Sequence, residues 1–410
     1  MNNSNTFFSK SSISSWTKSI GLIGLEKVLR LIFGFYLNLL IANHLGLIDF
    51  GIYSAILALI TFCLTTSFIG FDNRLLADQE ISDNSNKFFS YCYLRYIIFA
   101  VVTIITFYFT KLKIEDYYPH IFVLLILSGF ANSEQLSVVR KDYSFFLKNR
   151  LIIYTFLIVP MRVLALYYEA SISFFLWIAI VDLLLPSIIY VATLFTSKIG
   201  SKMFFDKSVL RDNFSSIYEI FYINYKYFFV GLLAITSFRL DYLVGINFVD
   251  QELVGLYAYA MIFVTPLTSM GRPLTFMIRS KLSKKGMSIN NAVLFLFFIP
   301  MFLLSIICSV FFIFRNEIQD LLPLWEPSML IFLFLIPLAW FALYSSQEFS
   351  AKGNIKHLAI KSFLSMTVGL AFYLMAQNYF GYFYFGIGVA IYYCIQGILY
   401  DVIFQRSAYS

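Results

Sequence analysis

An all-α polytopic membrane protein, with about 12 transmembrane helices in two pseudo-symmetric six-helix bundles, is the fold this sequence predicts. Three observations predict it. Of the 410 residues 60% are hydrophobic and 13% charged, where soluble domains carry about 25% charged residues, and mean hydropathy is +0.78. Apolar stretches of the length that crosses a ~30 Å hydrocarbon layer as a helix, about 20 residues, follow one another with short polar breaks. Those breaks alternate between rich and poor in lysine and arginine.

The stretches run 19–43, 48–71, 88–111, 118–140, 148–169, 172–195, 219–248, 252–279, 291–314, 328–350, 357–379 and 382–404. The first follows a polar, Ser-rich N-terminus, carries Glu26, Lys27 and Arg30, and has no small-residue cleavage site after a short apolar core, so no removable signal peptide is expected. Pro160, Pro186, Pro266, Pro273 and Pro337 fall within later stretches and predict kinks. The seventh is interrupted by SFRLDYLVG (237–245). NAVLFLFFIPMFLLSIICSVFFIF (291–314) is apolar on every side, unlike the alternating strands of a membrane barrel.

Nineteen of the 30 Lys and Arg residues, Arg150 among them, are assigned to loops or stretch ends on the side of the N-terminus, only Lys111, Lys113 and Arg315 to the opposite side, and eight lie deeper within the stretches. Basic residues concentrate in cytoplasmic loops, so both termini are expected in the cytoplasm. The net charge of +7 is then an orientation signal, and no nucleic-acid partner is expected. The outer breaks are short, and residues 196–218 read as a basic cytoplasmic linker between an N-terminal bundle, 1–195, and a C-terminal bundle, 219–410.

No cofactor or metal is expected. Cys63, Cys92, Cys308 and Cys394 have no paired spacing and read as packing residues. His44, His120 and His357 have no ligand spacing. No GxxxxGK[ST] loop is present for nucleotide hydrolysis by that route.

Two corners of the chain echo each other. NHLGLIDFGIYSAILALI (43–60) and NFVDQELVGLYAYAMIFV (247–264) match at Asn43 and Asn247, Gly51 and Gly255, Tyr53 and Tyr257, all with one offset. Six stretches intervene, so both copies keep one orientation, the parallel repeat of some transporters whose path lies between the halves.

The eight basic residues within the stretches are Lys27, Arg30, Arg95, Arg162, Lys226, Arg239, Arg272 and Lys361. Glu26, Glu134, Asp182, Asp241 and Glu348 are the clearer acidic ones. Each Lys, Arg or Asp near mid-membrane costs about 2.5–3.5 kcal/mol on the insertion scale. Lys27, Lys226 and Lys361 are expected to snorkel to the interface, and Glu134 and Glu348 to lie at helix ends. Arg30, Arg95, Arg162 and Arg239 fall deeper and are the candidate substrate-binding cations. Asp182, a natural partner for a buried arginine, and Asp241 are candidate proton or ion carriers. Residues two apart on a helix point about 200° away from each other, so at least one of Arg239 and Asp241 needs a partner elsewhere. The excess of guanidinium groups suits an anionic cargo, because the planar fork matches phosphate with paired hydrogen bonds.

The stretch LLIANHLGLIDFGIYSAILALITFCLTTSFIGFDNRLLAD (39–78) resembles the start of bacterial polysaccharide transporters, in which an LG-x-x-x-FG-x-Y turn links the first two helices. Here it stands as Leu45, Gly46, Phe50, Gly51 and Tyr53, with Gly70 closing the second helix. FRLD followed by VGLYAYA looks like the second-half signature, and SSQEFSAKGNIK (345–356) is a weaker match. The resemblance implies the O-antigen flippase (Wzx-type) branch of the multidrug/oligosaccharidyl-lipid/polysaccharide exporter superfamily. It further implies a bacterial inner membrane protein that moves an undecaprenyl-pyrophosphate-linked repeat unit between leaflets for lipopolysaccharide biosynthesis. A lipid-linked oligosaccharide substrate, membrane lipid, and a polysaccharide polymerase and chain-length regulator are the partners it implies. A multidrug or cation antiporter of the same superfamily is the nearest rival, for which an acidic cavity is expected. A membrane-embedded polysaccharide polymerase or ligase is more distant, since no large outer loop bears catalytic groups.

Overall fold

The computed structural model describes residues 10–67, 85–108, 110, 117–127, 137, 143–196, 207–269, 299–314, 316, 323–324, 326–351, 355–376, 380–381 and 383–399. Gly70, Glu134, Arg272, Pro273 and most of the inner loops used to assign orientation lie outside the described residues.

α1 (Lys10–Thr66) holds the first two expected stretches in one run with a break at Gly46, whose φ of 75° and ψ of 171° leave the helical region. Only glycine adopts that backbone at little cost, so the chain turns its first corner there. α2 (Ser85–Tyr108) and α3 (Tyr118–Leu127) follow. The fifth stretch is α4 (Tyr143–Ile153), a π turn (Tyr154–Ile158) and α5 (Val159–Tyr167). Val159 donates its N–H to the Tyr154 carbonyl five residues back. The cause is Pro160, which has no N–H to donate and whose ring would strike the carbonyl four residues back in an α-helix. Widening the turn by one residue removes the clash.

α6 (Ile172–Thr196), α7 (Lys207–Phe248) and α8 (Gln251–Ser269) follow. α7 begins twelve residues before the expected start at 219, so the second half of the expected linker is helical. It bends by 58° between Phe228–Thr236 and Arg239–Gly245, placing Arg239 and Asp241 just past the bend. α9 (Ile299–Ile313) precedes a 3-10 segment (Pro327–Phe334) leading into α10 (Leu335–Ala351). α11 (Ile355–Ala376) and α12 (Phe383–Cys394), which ends in a second π turn (Ile395–Leu399), complete the described chain. Among the described residues every element is helical, and five helices are long and apolar enough to span a membrane, six with the bent α7.

Contacts divide the chain into two compact units. The first comprises residues 1–37, 71–100 and 117–224, the second 38–70, 101–116 and 225–410. The second copy of the corner and its first copy thus fall in one unit, and the units do not follow the sequential division at 196–218.

In the first unit α4 and α5 pack on α6, and α3 also packs on α6. Phe175, Leu176, Ile158 and Tyr190 form its core. In the second unit α10, α11 and α12 pack together, with α8 against α10 and the 3-10 segment. Its core is aromatic: the rings of Tyr257 and Phe385 stack at 4.9 Å, and Phe332, Tyr373 and Tyr384 surround them. Gly388 gives the Tyr373 ring its space, and a Cβ there would strike that ring. Phe156, Tyr108 and Met375 are more than three-quarters exposed, an arrangement that hydrocarbon tolerates and water does not.

Candidate functional site

The first unit holds a cluster of charges contributed by the first, fifth and sixth stretches. On α1, Glu26 and Arg30 are one helical turn apart, so their side chains share a face. Arg30 donates from both terminal nitrogens to the two oxygens of Asp182 on α6, at 3.0 and 2.9 Å. This is the paired geometry that makes arginine–carboxylate contacts strong and directional. The Arg30 Nε lies 2.7 Å from Glu26 Oε1, an electrostatic contact without hydrogen-bond alignment. Its guanidinium carbon sits 4.3 Å from the centre of the Tyr154 ring, a cation–π contact.

Glu26, 0% exposed, also accepts from Arg150 Nε at 2.8 Å, with a second Arg150 nitrogen at 2.7 Å. Its Oε2 has no hydrogen-bond partner among the described residues.

Local structure puts Arg162 on the same face. Arg150 and Tyr154 are four residues apart and align on a helix. Arg162 is eight beyond Tyr154 and would fall off that face in an α-helix, but the π turn takes up one extra residue. Two turns then join Tyr154 to Arg162. Tyr154, Ile158, Arg162 and Ala165 form the buried face of this helix, while Phe156, Leu157, Val163 and Leu164 are exposed. Arg162 is 9% exposed and, among the described residues, no carboxylate forms an ion pair with it. Among the described residues of this unit, the buried or half-buried arginines are Arg30, Arg95, Arg150 and Arg162 and the buried or half-buried carboxylates are Glu26 and Asp182.

The second unit has two polar centres. Asp241, 3% exposed, accepts a 2.5 Å hydrogen bond from the Tyr257 hydroxyl, while its Oδ1 has no hydrogen-bond partner among the described residues. Tyr242 packs 5.5 Å from Tyr257, and Phe332 and Phe385 border the same ring. Arg239 is half-buried.

The other centre is Lys361. It was expected to snorkel, but it is 0% exposed and donates to the Ser345 hydroxyl. Snorkelling fails because α10 and α12 cover the side of α11 that carries it. Ser362 and Gln396, the latter on the second π turn, are hydrogen-bonded beside it, and Ser365 donates to the Lys361 carbonyl at 2.6 Å. Lys226 is exposed, and the Lys27 side chain lies outside the described residues.

The structure thus brings Arg30 and Asp182 together, places Arg162 beside them on one helix face, and keeps Asp241 in the other unit. Arg95 is buried at 7% exposure in the first unit. Sequence reasoning missed Glu26 as the bridge between two arginines, Tyr154 as the ring beneath Arg30, and Arg150, which was assigned to a loop. The one-turn spacings of Glu26 with Arg30 and of Arg150 with Tyr154 carried the available signal.

No family profile matches the chain, and no curated protein matches it in sequence. Among solved structures, a likeness covers 95% of this chain and 98% of the other, with a TM-score of 0.62 and 12% sequence identity. That structure is described as the inward-facing conformation of a multidrug resistance MATE family transporter of the MOP superfamily. The chain has the fold of that transporter and is an all-helical polytopic membrane protein.

Proposed function

We propose that the protein is a secondary transporter of an anionic, lipid-linked cargo, a flippase for an undecaprenyl-pyrophosphate-linked O-antigen repeat unit. The observation that carries this reading is Arg162, a guanidinium 9% exposed with no ion-paired carboxylate among the described residues, beside a cluster in which two carboxylates are already engaged by Arg30 and Arg150. A buried charge of that kind is costly and calls for an anion. Arg162 and Arg95 would engage the pyrophosphate, with the prenyl chain remaining in lipid. Arg30 is held by Asp182 and Glu26, so it shapes the site and contacts cargo only when those carboxylates give way. Arg239 in the second unit would meet the cargo as the halves exchange access. Asp182, released from Arg30, or Asp241 would take up a proton during the return. The MATE-like fold supports transport over the chemistry of a polymerase or ligase. A cytoplasmic-membrane location with both termini inside, and cooperation with a polymerase and chain-length regulator, belong to the same reading.

A second reading, export of organic cations, is favoured by Asp241. Its buried carboxylate is hydrogen-bonded to Tyr257, whose ring is bordered by Tyr242 and Phe332, and a buried carboxylate beside aromatic rings suits a cation.

Cells that depend on the transporter for surface polysaccharide distinguish the two. Arg162→Ala at wild-type protein level should abolish surface polysaccharide, with partial recovery in Arg162→Lys, while Asp241→Asn should leave dye resistance unchanged. Unaltered polysaccharide in Arg162→Ala, or lost dye resistance in Asp241→Asn, would favour the cation exporter.

A further inference from the structure

The two echoing corners meet inside one unit, and they meet through backbone. A Cβ added to Gly51 would lie 2.7 Å from the Gln251 carbonyl oxygen and 2.8 Å from the Gly255 nitrogen. A Cβ added to Gly255 would fall on the Leu47 carbonyl oxygen, with the Leu47 carbonyl carbon at 2.7 Å. Gln251 is the counterpart of Leu47 at the offset that relates Gly51 to Gly255. Each glycine therefore faces the residue one turn before the other glycine, the reciprocal pattern of a two-fold contact. The surroundings repeat as well: Tyr53 and Tyr257 are 3% and 0% exposed, and each corner has a break just before it, at Gly46 and at Val249–Asp250.

Such a contact is suited to opening and closing. At the glycines themselves main chain meets main chain with no side chain to interlock, so at that point the two corners can separate without drawing one side chain out from between others. The corners lie at the ends of the first and seventh stretches, the face that the twelve-stretch path puts opposite the termini. A lasting structural joint would be expected to use large apolar residues, as the aromatic core of this unit does.

We propose that Gly51 and Gly255 form a two-fold glycine clasp that seals the transport path on the face opposite the termini and parts when the protein opens to that face. This rests on the alternating-access part of the proposed function and is independent of the cargo. Any residue with a Cβ at either position holds the clasp apart and shifts the population toward the open form.

The experiment places a single cysteine at Ala42, 0% exposed on α1 just before the corner, in a background lacking Cys63, Cys92, Cys308 and Cys394. Labelling by a membrane-impermeant maleimide is followed from each side in intact cells and inverted vesicles. With both glycines present the cysteine should label slowly from the face opposite the termini. Gly51→Val and Gly255→Val should each raise that rate about tenfold, the shift of about 1.4 kcal/mol that such a ratio represents, with labelling from the other face unchanged or slower. The alanine variants, which already carry the offending Cβ, serve where valine prevents insertion. Protection unchanged in well-inserted variants of both glycines would overturn the clasp, as would an effect at only one of the two corners. Because no cargo is present, a wrong cargo assignment leaves the result intact.

Discussion

Replacing Glu26 by glutamine tests how the charge cluster is held. The carboxylate is 0% exposed and its Oε1 lies 2.7 Å from both the Arg30 Nε and an Arg150 terminal nitrogen. Removing one partner of a buried pair costs about 3–5 kcal/mol, because the remaining charge is left without compensation. Two features bring the expectation to the lower end. Arg30 keeps its paired bonds to Asp182, and the Arg150 side chain is 16% exposed and gains some water. Glu26→Gln should therefore lose about 3 kcal/mol. The assay is reversible unfolding in bicelles, read for wild type, Glu26→Gln, Arg150→Met and the double variant. The double variant should lose less than the sum of the singles, with an interaction energy of about 1–3 kcal/mol. A Glu26→Gln loss within about 0.5 kcal/mol of zero, or strict additivity, would refute the bridging role.

Pro160→Ala restores a donor and removes the ring that widens the turn, so α4 and α5 should join as a regular helix and swing Arg162 off the face of Tyr154. Surface polysaccharide should fall as far as in Arg162→Ala while unfolding stability holds or rises; full function in Pro160→Ala would contradict this placement. Gly388→Ala drives a methyl into the Tyr373 ring, which is 2% exposed and held through its hydroxyl to the Phe385 carbonyl at 3.2 Å. Overpacking of that kind costs about 1–3 kcal/mol, measurable in the same unfolding assay, and an unchanged midpoint would contradict it.

Much of the fold is legible because hydrophobic length is a one-dimensional property. The kink at Gly46 and the break before Gln251 appear in the sequence as polar, glycine-bearing corners, and Pro160 announces a disturbance by its position. The kind of disturbance is not announced. That a π turn would absorb it, and so bring Arg162 into line with Tyr154, depends on which carbonyl the next free N–H finds. The charge partners divide in the same way. Arg30 with Asp182 was foreseeable in kind, since a buried arginine needs a carboxylate and few are available. Arg150 was assigned to a loop because charge near the end of an apolar stretch normally meets water, and only the buried Glu26 on another helix changes that balance. Lys361 shows the same limit: a lysine near a helix end can snorkel only where neighbouring helices leave a route, and the packing of α10 and α12 is not written in the residues around it.

Binding of a pyrophosphate-bearing prenyl lipid to the purified protein in nanodiscs tests the anion site most directly. Wild type should bind the pyrophosphate lipid more tightly than the corresponding alcohol, with affinity falling as salt rises, and Arg162→Ala should lose about 1.5–3 kcal/mol, the worth of hydrogen bonds to a charged group. Equal binding of alcohol and pyrophosphate by wild type, or undiminished pyrophosphate binding by Arg162→Ala, would contradict the account.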